Sequence, residues 1–231
     1  KQGGIRRGAN MGILNSNHPD IEKFITAKDG NKALRNFNIS VLIMGDFWKH
    51  YENDEPYPLV NPKDGKVVRY VSPKALFDKI VYQAWESAEP GVIFFDKVND
   101  YNPFYEHLGP IVTTNPCGEV LLYPNEPCNL GSINVWAFAK KDEETRETTV
   151  DWDGLKEVVM SCTRFLDNVI DVNNFPLKSI EEMSLSTRKI GLGVMGVANL
   201  LYELKLPYNT DEGRQFMEKL MEFIAYWSKV E

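Results

Sequence analysis

Residues 114–135, TNPCGEVLLYPNEPCNLGSINV, hold two of the chain's three cysteines, Cys117 and Cys128, eleven positions apart. In an extended backbone, residues i, i+2 and i+4 point to one side at intervals of about 6–7 Å. The spacing therefore predicts that Asn115, Cys117 and Glu119 direct an amide, a thiol and a carboxylate into one volume. Pro116 and Gly118, between them, alternately restrict and free the backbone. A carboxylate beside a thiol holds the proton on sulfur by like-charge repulsion. That is wrong for a nucleophilic thiolate, which needs positive neighbours, but it suits a thiol that loses a hydrogen atom. The chemistry indicated is radical rather than ionic. A polar loop with an incidental cysteine is the bland alternative, and it leaves the second thiol unexplained.

Around this stretch, short strand patterns alternate with helical ones. HPDIEKFITAK (18–28) predicts a helix with Pro19 in its first turn, and NFNISVLIM (36–44) predicts a strand buried on at least one face. A short helix follows at 46–53. PYPLV and VVRYV flank a turn with Asp64-Gly65 at its tip, a hairpin signal. SPKALFDKIVYQAWESAE (72–89) has a serine cap and a proline at the first helical position. GVIFF (91–95) and GSINV (131–135) read as strands. The helix at 153–172 carries the stripe Leu155, Val158, Val159, Cys162, Phe165, Leu166, Val169 and Val172. RKIGLGVMGVANLLYELK (188–205) reads as a glycine-bearing strand entering a helix, and 210–231 as an amphipathic helix. Residues 1–12, with four glycines, read as a loop. The whole predicts an α/β fold with helices packed outside a sheet or barrel.

At 231 residues, 43% of them hydrophobic, the chain can bury a substantial core in one large domain or two small ones. Its longest apolar runs fall far short of a membrane span. Three cysteines make no disulfide scaffold, so the composition points to a reducing cytoplasm. A formal charge of −7 argues against wholesale binding of nucleic acid or an anionic membrane. The abrupt, charged, glycine-rich opening reads as the middle of something longer.

Competing motifs are weaker. Cys162 lies on an apolar helix stripe and reads as a small buried hydrophobe. A Cys-dependent hydrolase pairing Cys117 with His107 has no local support. Two cysteines eleven apart lack the short spacing of a structural zinc site, and no metal site is expected. GLGVMG (191–196) has dinucleotide-binding spacing without the acidic partner about 20 residues on, and close strand–helix packing explains it better. Lys1, Arg6 and Arg7 among glycines read either as a solvated turn or as a loop that meets a phosphorylated ligand.

NPCGE followed by CNLGSIN resembles the finger loop of the large catalytic subunit of ribonucleotide reductase, most closely the adenosylcobalamin-dependent class. KQGGIRRGANMGIL resembles the substrate-specificity loop of that family and the strand after it. HPDIEKFI, NFNISV and RKIGLGVMGVANLL resemble further family segments in the expected order. The resemblance implies a ten-stranded α/β barrel with a central finger loop carrying the radical cysteine, of which residues 1–231 are a central portion, incomplete at both ends. It implies that Cys117 becomes the thiyl radical that takes the ribose 3′ hydrogen, that Glu119 is the base for the 3′ hydroxyl, and that Asn115 holds the ribose hydroxyls. Cys128 would be half of the dithiol that reduces the intermediate, paired with a cysteine upstream of Lys1 and not with Cys117. Lys1, Gln2 and Arg6 would report the bound deoxynucleotide effector. Adenosylcobalamin as cofactor, a ribonucleotide substrate, a thioredoxin- or glutaredoxin-like reductant and a homodimeric complete enzyme follow from the same resemblance. So does an inactive fragment when residues 1–231 stand alone. The di-iron or manganese reductases of the same family are the nearer rival, and a Cys-dependent hydrolase the further one.

Overall fold

The computed structural model describes residues 8–31 and 34–231. They divide into two compact units, one ending at Pro124 and the other beginning at Asn125. Elements of the first unit are, in chain order, β1 (Asn10–Asn15), α1 (Ile21–Ile25), β2 (Phe37–Ile43), α2 (Phe47–Asn53), β3 (Tyr57–Val60), β4 (Val67–Val71), α3 (Pro73–Ser87), β5 (Gly91–Phe94), α4 (Phe95–Asn99), α5 (Tyr105–Leu108), β6 (Thr113–Thr114) and β7 (Leu121–Leu122). β1, β2 and β5 form a parallel sheet with β2 at its centre, Asn10 opposite Phe37 and Ser40 opposite Gly91. A central parallel strand is buried on both faces, which is why NFNISVLIM turns wholly apolar: Val41 and Ile43 pack with Ile21, Ile25, Phe47 and Tyr57 in one core.

That core holds a fixed polar thread. Ser16 is fully buried, its Oγ lies 2.9 Å from the Tyr57 hydroxyl, and it accepts the Met44 N–H at 3.1 Å. Burial pushes the Tyr57 phenol well up, so it stays protonated. The expected hairpin is β3–β4, with Lys66 N–H donating to Asp64 Oδ1 at 3.1 Å in its turn. At the start of α3, Ser72 Oγ accepts the Ala75 N–H, as a serine cap should.

Two boundaries move. β1 starts at Asn10, inside the stretch read as loop, because β2 offers it a ladder. α1 starts only at Ile21, since His18 Nδ1 accepts the Asp20 N–H and its carbonyl accepts the Ile21 N–H, making a turn that leaves Pro19 outside the helix.

The second unit contains β8 (Asn129–Asn134), a short 3-10 turn at Val135–Phe138, β9 (Ala139–Lys141), β10 (Thr148–Val150), α6 (Trp152–Val172), α7 (Lys178–Thr187), β11 (Ile190–Met195), α8 (Val197–Glu203) and α9 (Asp211–Val230). β8 and β11 pair in parallel, from Asn129 opposite Ile190 to Asn134 opposite Met195. Ile133, Val135, Leu155, Val159, Leu200, Leu220 and Ile224 make the core that joins this ladder to α6, α8 and α9. Cys162 packs against that core as a partly buried hydrophobe. The α6 stripe is rotated from the expected one: Phe165 and Val172 face solvent, while Thr163 and Ile170 are buried. Thr163 tolerates the core because its hydroxyl donates to the Val159 carbonyl at 2.9 Å.

GLGVMG is mostly strand. Gly191 and Gly193 lie inside β11, and Gly196 caps α8 with φ of 76°, so the glycines are not a phosphate turn. Five strands thus run in parallel ladders, three in one unit and two in the other, and neither unit closes a barrel by itself among the described residues.

A Cβ at Gly196 would stand 2.3 Å from Asn134 Oδ1 in a left-handed backbone. Gly196→Ala should therefore destabilise the fold by about 1–3 kcal/mol, read as a lower urea midpoint with an unchanged slope.

Candidate active site

The first cysteine sits on a very small hairpin. Thr113 pairs with Leu122 and Thr114 with Leu121, and residues 115–120 form the tip. Gly118 N–H donates to the Asn115 carbonyl at 3.0 Å, closing a turn with Pro116 and Cys117 at its centre. The extended backbone expected for 115–119 is therefore corrected to a turn: Pro116 presets the bend, and Gly118 completes it with φ of 82°. Asn115, Cys117 and Glu119 remain within this one tip; Cys117 and Glu119 are exposed and Asn115 is half-buried.

Two residue pairs cannot hold such a tip on their own, and asparagine side chains supply the remaining hold. Asn115 Oδ1 accepts the Val120 N–H at 3.0 Å, beside the Asn115 N–H to Val120 carbonyl bond at 3.2 Å. Asn38, on β2, donates its Nδ2 to the carbonyl of Pro116, directly before the cysteine. At the root, Asn99 exchanges two bonds with the Ile111 backbone, donating to its carbonyl at 3.1 Å and accepting its N–H at 2.8 Å. Buried Tyr123 donates its hydroxyl toward Asn102 Oδ1, 2.8 Å away, and the Gly109 carbonyl, 3.0 Å away. Among the described residues no hydrogen bond joins Cys117 to His107, which sits exposed on α5.

Cys128 belongs to the other unit, on the residue before β8. It is a free, half-buried thiol in a cleft of about 90 Å³, shared with Asn129, Asn173, Ser184 and Lys189. Burial pushes its thiol up, the Lys189 ammonium opposes that rise, and the Glu126 carboxylate adds to it. Lys189 Nζ lies 2.9 Å from Glu126 Oε2, whose side chain is fully buried. Asn129 Nδ2 donates to the Leu166 carbonyl at 2.8 Å and ties β8 to α6. Just before β11, Arg188 grips Asp167 through two nitrogens at 2.8 Å each and reaches Asp171 at 2.9 Å. This bidentate pairing holds the Asp167 carboxyl below the usual aspartate range.

Each of the two cysteines is thus a free thiol held by its own unit. Lys1, Gln2 and Arg6, the expected specificity residues, lie outside the described residues. Sequence reasoning missed Asn38, Asn99, Asn102, Glu126 and Lys189. Asn102-Pro103 was a visible turn signal, whereas Lys189 meets Cys128 only through a parallel register that no local pattern encodes.

Residues 1–231 match the family model described as ribonucleotide reductase, barrel domain. The chain is 50% identical over 225 residues to the vitamin B12-dependent ribonucleoside-diphosphate reductase of Thermoplasma acidophilum, covering 97% of the chain and 28% of that relative. It is 45% identical over 223 residues to the reductase of the same name from Mycobacterium tuberculosis, covering 96% and 31%. The ribonucleoside-diphosphate reductase subunit alpha of Chlamydia pneumoniae is 30% identical over 262 residues, covering 98% and 24%. The chain spans less than a third of the length of each.

Asp167→Asn should flatten the acid side of the stability curve. A carboxyl held low contributes stability above its unfolded value and loses it as pH falls through the folded one. The pair is partly exposed, so the loss at neutral pH should stay below about 1 kcal/mol. Urea midpoints measured across acid pH for both proteins check this.

Proposed function

The chain belongs to the ribonucleotide reductase family, and from that premise we propose that residues 1–231 are a central portion of the catalytic barrel of an adenosylcobalamin-dependent ribonucleotide reductase. The observation that carries the reading is the tethered hairpin with Asn115, Cys117 and Glu119 on one tip. Five parallel strands in two ladders suit one half of a ten-stranded barrel, and the hairpin suits its finger loop.

The exposed sulfur of Cys117 fits a group that must act on it from outside the hairpin. When bound, adenosylcobalamin supplies the initiating radical at that sulfur. As a thiyl radical, Cys117 takes the 3′ hydrogen atom of the ribose, while Glu119 accepts the 3′ hydroxyl proton across a hydrogen bond. Asn115 spends its carboxamide oxygen on Val120, so its two N–H donors are the ones turned to ribose hydroxyl oxygens. The 2′ hydroxyl leaves as water, carrying away a proton that the dithiol gives up. Cys128 and a second cysteine, which the family resemblance puts upstream of residue 1, deliver two electrons and end as a disulfide. Cys117 returns the hydrogen atom to C3′. One ribonucleotide and one dithiol become one deoxyribonucleotide, one disulfide and one water.

The names of the two relatives at 50% and 45% identity favour cobalamin over a metal-bearing second subunit, and a ribonucleoside diphosphate as substrate. A dithiol reductant of the thioredoxin or glutaredoxin type resets the pair by exchange. Lys1, Gln2 and Arg6, shortly ahead of β1, carry the effector signal to the substrate base, and the complete enzyme is a cytoplasmic homodimer. Among the described residues no helix is long and apolar enough to cross a membrane.

The test supplies the full-length reductase with a ribonucleoside diphosphate, adenosylcobalamin and a dithiol, and with no second protein subunit. Deoxynucleotide formation is expected, with Cys117→Ser abolishing it and Glu119→Gln lowering kcat by about 10²–10⁴-fold. Turnover that required a second, metal-bearing subunit would overturn the cobalamin reading. Undiminished turnover by Cys117→Ser would overturn the mechanism.

A further inference from the structure

Cys128 and Lys189 stand together for a topological reason. The β8–β11 ladder opens with Asn129 opposite Ile190, so the residues one step earlier, Cys128 and Lys189, are neighbours where it begins. Paired residues in a parallel ladder send their side chains to the same face, and both residues line the same small cleft. Further along that face, a Cβ placed on Gly191 would lie 3.7 Å from Cys128 Sγ, so the residue beside the sulfur on β11 is the one that adds no bulk.

A fully buried carboxylate fixes the lysine. Glu126, two residues before the cysteine, has no exposed side-chain surface, and its Oε2 lies 2.9 Å from Lys189 Nζ. A buried ion pair stabilises a fold weakly, because desolvation offsets the attraction; what such a pair does well is fix where a charge sits. Arg188, the residue before the lysine, strengthens the placement because its own side chain is clamped to α6 by Asp167 and Asp171. Among the described residues, the others lining the cleft are neutral: Val169, Ile170 and Asn173 at the end of α6, and Ser184 on α7, with Pro127 and Asn129 beside the cysteine.

We propose that Lys189, anchored by Glu126, is a positioning residue for Cys128 that stabilises its sulfur as the leaving thiolate when the oxidised pair is reduced. The proposal rests on the reading that Cys128 is half of the redox dithiol. In that step a thiolate of the dithiol reductant attacks the partner sulfur. A new S–S bond forms there, the old one breaks, and its electron pair goes to Cys128 Sγ beside the ammonium. A proton from solvent then restores the thiol, and the reductant's second thiol completes its own disulfide. A leaving sulfur with a lower proton affinity departs faster. Burial pushes this thiol up; the lysine beside it counters that rise, and the anchoring carboxylate adds to it.

The experiment measures alkylation of Cys128 by iodoacetamide against pH in the full-length reductase, read by peptide mass spectrometry. Lys189→Met should move the midpoint up by about one unit, a tenfold loss of labelling at a fixed pH below it. Lys189→Arg should keep it near the wild-type position. Lys189→Gln, which still offers the buried carboxylate a donor, should move it as Met does and guards against a variant that fails to fold. Steady-state turnover on a dithiol reductant should fall about tenfold in the two uncharged variants and recover with Arg. An unmoved midpoint in both uncharged variants overturns the role of Lys189 alone. Sustained dithiol-driven turnover by Cys128→Ser overturns instead the reading of Cys128 on which the proposal rests.

Discussion

The cysteine-bearing hairpin tip depends on hydrogen bonds from asparagine side chains to backbone. A hairpin with two residue pairs has too little ladder to define where its turn sits. Its position is set from outside, by Asn38 at the Pro116 carbonyl and by Asn99 at Ile111. Asn115 works inside the turn. Each such bond contributes only about 0.5–1.5 kcal/mol net, but every one acts at a different point along fewer than a dozen residues. A side chain carried on a central parallel strand is among the most rigid supports an α/β fold offers, and Asn38 extends that rigidity to the peptide bond before Cys117.

The second unit solves the same positioning problem with charge. Arg188, Lys189, Asp167, Asp171 and Glu126 place two cations at the mouth of the β8–β11 ladder and answer both with carboxylates. The two cations do different things because their surroundings differ. Arg188 is partly exposed and bidentate, a mechanical clasp. Lys189 meets a carboxylate sealed from water, so its charge is confined beside a thiol. Both thiols are consequently supported by elements of their own unit.

Much of the architecture was legible before any coordinates. β2, α3, the β3–β4 hairpin, α6 and the β11–α8 segment follow from periodicity, caps and turn residues, which are local signals. Elements that escaped were those whose reason is tertiary. α7 is a weakly amphipathic helix held by Arg188 at its end, and β6–β7 is too short to leave a pattern. Phe165 and Val172 were read into the buried stripe of α6, because apolar spacing cannot tell a fully covered face from its margin. The site divides the same way. Asn115, Cys117, Glu119 and Cys128 announce themselves by residue type and spacing. Their supports, Asn38 and Lys189, lie 78 and 61 positions from the residues they serve, and only the folded topology connects them.

The parallel pairing of β8 with β11 also governs how this protein is made. Asn129 finds Ile190 opposite it only after 61 further positions have been synthesised. At a ribosomal rate of roughly 5–20 residues per second, the earlier strand waits about 3–12 seconds for its partner. During that interval the apolar side of α6 has no β11, α8 or α9 to cover it. Nascent chains stalled anywhere in α7 would present that surface to chaperones or to one another, whereas chains released beyond α9 would not.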